Sequence, residues 1–103
     1  MFIGKVTGSV VSTQKIASVK GSKLLLVQAL NVKADEPTAI VETNKTAVVL
    51  DYLGAGEGDL VLVTQGSSAR LTDWTKTLPA DAVVIGIIDA MQIGHQEIYK
   101  KES

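Results

Sequence analysis

The sequence predicts a mainly β protein, a small barrel or sandwich, and three observations carry that expectation. Among 103 residues stand 13 Val, 8 Ile and 9 Thr, and β-branched side chains favour extended backbone. The apolar residues fall in short runs broken by Gly, Pro, Asn and Asp, the pattern of several short strands with little helix. The length fits one domain, expected over residues 1–103, and leaves little room for a second.

Residues 2–11 read as the first strand, with Val6, Gly8 and Val10 on one face and Lys5, Thr7 and Ser9 on the other. Residues 12–22 are polar and read as a loop. Residues 23–32 read as a second strand, with Leu24, Leu26, Gln28 and Leu30 on one side and Leu25, Val27 and Ala29 on the other. Both faces are largely apolar, which places this strand centrally or between its own core and a neighbouring subunit. Asp35-Glu36-Pro37 is a turn signal. Residues 38–42 and 46–51 then read as two short strands around a turn at Asn44-Lys45. Residues 52–59 are glycine-rich, 60–64 form a compact apolar strand, and 65–70 read as a tight polar turn or short helix. Residues 72–79 are irregular and hold the only tryptophan, Trp74. Residues 83–91 are the most apolar strand candidate, and 96–99 read as a short final strand.

The bulk composition narrows the function classes. Hydrophobic residues are 46% of the chain and charged residues 20%, a globular balance and not a disordered one. A domain of this size buries only about 60–70% of its unfolded surface, so association with copies of itself would hide apolar surface that one barrel cannot. No apolar run approaches the roughly 20 residues of a membrane-spanning helix, and no membrane partner is expected. The net charge of −1 argues against a nucleic-acid binder, which is normally basic on one face. The chain contains no cysteine, which excludes disulfides and thiolate metal sites. Its first residues lack the charged and long apolar regions of a signal peptide, so a cytoplasmic location is expected.

No set of residues with catalytic chemistry emerges. Gly54-Ala55-Gly56-Glu57-Gly58 has its third glycine one residue too early for a dinucleotide fingerprint, and an apolar strand follows it instead of a helix. Gly54, Gly56 and Gly58 are therefore read as a structural turn containing at least one positive φ. His95 is the only histidine and has no partner ligands in sequence, so it is read as a solvated loop residue. Asp51, Glu57, Asp59, Asp73, Asp81 and Asp89 are scattered beside turns, where Asp commonly bonds its own backbone. Phe2, Tyr52, Trp74 and Tyr99 are too few and dispersed for a base-stacking groove. No cofactor and no metal are expected, and the excess of apolar strand surface points to assembly and not to catalysis.

Five blocks in order resemble a known family. They are residues 3–13 (IGKVTGSVVST), 21–28 (GSKLLLVQ), 51–59 (DYLGAGEGD), 66–70 (GSSAR) and 79–89 (PADAVVIGIID). Their order and spacing, covering residues 1 to about 90, resemble the EutN/CcmL family of bacterial microcompartment vertex proteins, which includes those of carboxysomes. The resemblance implies a five-stranded OB-like barrel with short helical turns, the barrel core lying in residues 1–90 and a C-terminal tail in 91–103. It implies a homopentamer that plugs the vertices of a shell whose facets are hexameric proteins, in the bacterial cytoplasm and without enzymatic activity. An OB-like barrel also keeps open a nucleic-acid-binding module as the alternative. In a ring of five, the short polar turn of Gly66, Ser67, Ser68 and Ala69 is the candidate edge of the central opening. Arg70 is the candidate subunit-interface residue, because its forked guanidinium suits a bidentate bond to a neighbour's carboxylate or backbone carbonyls.

Overall fold

The computed structural model describes residues 1–11, 23–35, 37–66 and 82–102. Among the described residues seven strands follow in order: β1 (Phe2–Val10), β2 (Lys23–Lys33), β3 (Ala39–Asp51), β4 (Leu60–Gln65), β5 (Ala82–Ile87), β6 (Ala90–Ile93) and β7 (Gln96–Lys100). The first five close into a barrel in the order β1-β2-β3-β5-β4, with β4 returning to pair antiparallel with β1. This is the expected OB-like topology. A single parallel bridge, Leu50 to Val83, joins β3 to β5 and completes the ring of strands. Closure removes the open edges that a flat five-stranded sheet would offer to other chains.

The interior is filled mainly by β-branched side chains from the five barrel strands. Val6, Leu25, Val27, Val49, Val61, Val63 and Val84 are buried in one cluster, with Phe2, Ala47 and Ile87 packed against it. Short branched side chains suit a barrel this narrow, because their single preferred rotamer fills the space at little entropic cost. Leu50 and Val83 form a separate buried pair, flanked by Leu24 and Tyr52.

Three local readings of the sequence are corrected. First, residues 38–42 and 46–51 are not two strands around a turn but parts of one, the 13-residue β3. Asn44-Lys45 sits in a wide bulge, where the register passes from Gln28↔Thr46 to Leu30↔Glu42. Side chains stitch the bulge to β2: Gln28 Nε2 donates to the Thr43 carbonyl at 2.7 Å, and Thr43 Oγ1 donates to the Ala29 carbonyl at 2.7 Å. These bonds replace the ladder bonds that the extra residues would lose.

Second, the faces of the first strand do not alternate as expected. The pairing of β1 with β2 shifts between Val6 and Gly8. Val6 lies in the core at 1% exposure, whereas Gly8 and Val10 stand opposite Leu26 and Leu24, and Val10 is 36% exposed. Because side chains alternate with period two, one bulged residue sends the second half of the strand to the other face.

Third, residues 83–91 are not one strand. The chain leaves the barrel at Ile88-Asp89, with Ile88 N–H donating to the Leu60 carbonyl at 2.8 Å. It then folds into a separate two-stranded hairpin, β6-β7, outside the barrel. The two-residue loop Gly94-His95 has φ +59° at the glycine and no positive φ at the histidine. That is the signature of a type II′ hairpin turn, whose twist matches the flanking strands. His95 is exposed on this loop.

Candidate assembly surface

The glycine-rich turn is built around one carboxylate. Asp51 ends β3 and is 1% exposed. Its Oδ1 accepts from Leu53 N–H at 3.0 Å, and its Oδ2 accepts from Gly54 N–H at 3.1 Å and Ala55 N–H at 2.9 Å. A side chain that gathers three successive amides bends the chain sharply over the barrel end. The bend delivers Ala55, fully buried, into the barrel core as a plug. Asp59 fixes the other side, its Oδ2 accepting from Gly56 N–H at 2.8 Å. The loop then docks on β1, with Gly58 N–H donating to the Val6 carbonyl and Val6 N–H donating to the Asp59 carbonyl.

Gly54 has φ +83° and Gly58 φ +92°, while Gly56 is not in the left-handed region. Nothing lies within 4 Å of a Cβ added at Gly54 or Gly58, so only backbone conformation restricts them. Gly54→Ala and Gly58→Ala should each cost about 1 kcal/mol or more, since alanine is strained at positive φ. Gly56→Ala should be neutral or slightly stabilising. Chemical denaturation of the three single variants checks this ordering, and equal costs at all three positions would contradict it. The polar groups of the turn that these bonds describe are engaged with the loop's own side chains and backbone or with β1, so the loop serves as a barrel cap and not as a phosphate cradle.

Gln65 is the last residue of β4, and Gly66 follows at φ +67° and is exposed. Ser67, Ser68, Ala69 and Arg70 lie outside the described residues. Beside Gln65 is an open depression of about 850 Å³ at the barrel end, edged by Phe2, Asn31, Thr43, Asn44 and Lys45. Among the described residues Lys45 is its one ionisable side chain. Among the described residues no group of three or more His, Cys, Asp or Glu is placed to hold a metal ion.

The barrel's exterior is more distinctive than this depression. Register sets Gly8 beside Leu26 and Leu26 beside Val48, and, two residues along, Val10 beside Leu24. Val48 is 55% exposed, and Leu24 and Leu26 are only half-buried. The two-sided apolar character of β2 is thereby resolved: Leu25 and Val27 serve the core, and Leu24 and Leu26 face outward in an apolar stripe. Sequence reasoning missed that β1 contributes to this stripe, because no residue pattern announced the bulge at Thr7. It also missed Gly4, whose place inside a strand was the available signal of a close backbone approach. A Cβ there would overlap Val27 Cγ1 and stand 3.0 Å from the Gln28 carbonyl oxygen.

A closed five-stranded OB-like barrel with a capped end and an apolar stripe on its outer face defines the class, a small β-barrel protein. The chain belongs to the EutN/CcmL family: residues 1–89 match the family described as "Ethanolamine utilisation protein EutN/carboxysome". The carboxysome shell vertex protein CcmL of Gloeobacter violaceus is 41% identical over 102 residues, 99% of this chain and 96% of that protein. Its solved structure superposes with a TM-score of 0.81 at 40% identity, covering 98% of each chain. The bacterial microcompartment shell vertex protein GrpN of Rhodospirillum rubrum is 42% identical over 92 residues, 89% of this chain and 97% of GrpN. The structure of GrpN, described as a pentameric microcompartment shell protein, superposes with a TM-score of 0.72 at 40% identity and covers 91% of this chain and 100% of GrpN.

Proposed function

We propose that this chain is a structural shell protein whose homopentamers cap the vertices of a bacterial microcompartment in the cytoplasm. The observation that carries the reading is the pentameric GrpN structure, matched along its whole length at 40% identity. The apolar stripe supports it, since a free monomer would leave Val48, Val10 and their neighbours in water. A closed shell tiled by sixfold units needs fivefold units in order to curve, so hexameric shell proteins are the partners at each vertex. The role is mechanical and non-enzymatic: the relatives are shell proteins, and the buried carboxylate Asp51 is committed to backbone amides.

Within the ring, Gly66, Ser67, Ser68 and Ala69 edge the fivefold opening, and Arg70 bonds a carboxylate or carbonyl of the adjacent subunit. The support for this placement is chemical. Bulky apolar side chains are committed to the core and the exterior stripe, and the sequence that follows β4 offers small polar ones.

Native mass spectrometry at micromolar concentration should show a species of five times the 10.9 kDa chain. A stable monomer would overturn the reading. A sixfold ring would leave the family intact and remove the vertex role.

A further inference from the structure

We propose that Asp59 and Lys101 form a charge-held latch that ties the β6-β7 hairpin to the cap of its own barrel, so that the attitude of the hairpin responds to ionic strength while the barrel stays closed. The contact lies within one chain and does not depend on how copies of the chain associate. Lys101 Nζ lies 3.6 Å from Asp59 Oδ1, and the two side chains are 36% and 23% exposed. Opposite charges at this separation attract, and dissolved ions weaken the attraction where water reaches it.

One short corner joins cap, strand and hairpin. Asp59 ends the glycine-rich loop, and its Oδ2 clasps the cap by accepting from Gly56 N–H at 2.8 Å. Its carbonyl accepts from Val6 N–H at 2.9 Å, which seats the corner on β1. The next residue, Leu60, offers its carbonyl to Ile88 N–H at 2.8 Å, where the chain leaves the barrel. Cap, β1 and hairpin root thus meet at two successive residues. The carboxylate oxygen that the cap does not use, Oδ1, is the one nearest Lys101.

The position of Lys101 gives its charge leverage. It directly follows β7, and its N–H donates to the Asp89 carbonyl at 2.7 Å, so the two ends of the hairpin close at one root. Among the described residues the hairpin joins no ladder of the barrel. Its root is tied there by the Ile88–Leu60 backbone bond and by the ion pair. A small displacement at this root swings the Gly94-His95 tip through a larger one.

An ion pair as open to water as this one is weak, and that weakness makes it a latch. Exposed pairs shift an equilibrium by up to about fivefold. That is enough to change how often the root opens and too little to decide whether the barrel folds. A hairpin held only by its half-buried apolar side chains, Met91 and Tyr99, would behave differently, because added salt does not loosen apolar burial. Salt therefore separates a charge-held root from a packed one.

Amide exchange of the full chain, read at Ile88, tests the latch at a concentration where native mass spectrometry shows every variant in the same oligomeric state. Lys101→Met should speed exchange at Ile88 by about two- to fivefold and leave Val27 and Val61, in the barrel wall, unchanged. Asp59→Asn should do the same, since an amide oxygen can still accept from Gly56 N–H while the charge is gone. The double variant should be no faster than either single one, as two halves of one interaction require. Raising sodium chloride from about 0.05 to about 1 M should speed Ile88 exchange in the unsubstituted chain and not in Lys101→Met. Lys101→Arg should restore both the protection and the salt response. Lys33→Met, which removes the same charge from the exposed end of β2, should leave Ile88 as it was. The latch is refuted if Ile88 exchanges equally fast with and without the Lys101 charge, if the two single effects add in the double variant, or if the salt response survives in Lys101→Met.

Discussion

Gly4→Ala is expected to lower the stability of the barrel by about 2–3 kcal/mol, the upper part of the range for an overpacked core. The added methyl would overlap Val27 Cγ1 and come within 3.0 Å of the Gln28 carbonyl oxygen and 3.3 Å of the Phe2 ring. None of these can retreat easily. Val27 is fully buried and stiff about χ1, and Gln28 belongs to the β1-β2 ladder, where Lys5 is its partner. Gly4 itself pairs with Ala29 on one side and Val61 on the other, so a backbone shift would strain two ladders at once. Urea denaturation at fixed protein concentration measures the loss, since assembly makes apparent stability concentration-dependent. Adding Val27→Ala should recover part of it, and the double variant should be more stable than the two single losses predict. A cost below about 0.5 kcal/mol for Gly4→Ala would show that the strands separate there without penalty, contrary to the packing described.

The barrel was legible in the sequence wherever local pattern and tertiary context agreed. The strand at residues 60–64 is apolar on both sides and short, and it stands as β4 with one residue added. The second strand was readable as two-faced, and its outward leucines do face away from the core. The turn at residues 52–59 announced itself through glycines following an aspartate. Where the reading failed, distant groups overrode local propensity. Thr43-Asn44-Lys45 is turn chemistry in isolation, yet it continues a strand because Gln28 and Ala29 on the neighbouring strand hydrogen-bond its bulge. The run of residues 83–91 is apolar apart from Gly86 and Asp89, and Asp89 marks the break between β5 and β6. β5 ends at Ile87 because β4 is used up: Leu60 is the first residue of that strand, and its carbonyl takes the Ile88 amide. Thr7 shows how one bulge converts a core pattern into an exterior one. Of the proposed assembly residues, Gly66 is placed at the end of β4, and Ser67, Ser68, Ala69 and Arg70 lie outside the described residues.

Replacing Asp51 should unseat the barrel's cap. In Asp51→Ala the amides of Leu53, Gly54 and Ala55 lose their acceptor together. Their costs are unequal. Leu53 and Gly54 are exposed and can turn to water, whereas Ala55 is fully buried and cannot. A buried donor left without a partner costs about 1–3 kcal/mol, and the buried space vacated by the carboxylate adds a smaller packing loss. We therefore expect about 3 kcal/mol for Asp51→Ala. Asp51→Asn should cost less, because one amide oxygen can still accept from Ala55 N–H and its neighbour, at the expense of the bond to Leu53. The more diagnostic readout is local. With the bend relaxed, Ala55 leaves the core and the loop loses its grip on β1, so amide exchange should accelerate at Ala55 and also at Gly58, whose N–H is bonded to the Val6 carbonyl. The exchange of Val27 and Val61, deep in the barrel wall, should rise only by the global loss of stability. If Gly58 remains as protected in Asp51→Ala as in the unsubstituted chain, the loop is held by Asp59 and the backbone alone. Asp51 would then be a passenger in the turn and not its organiser.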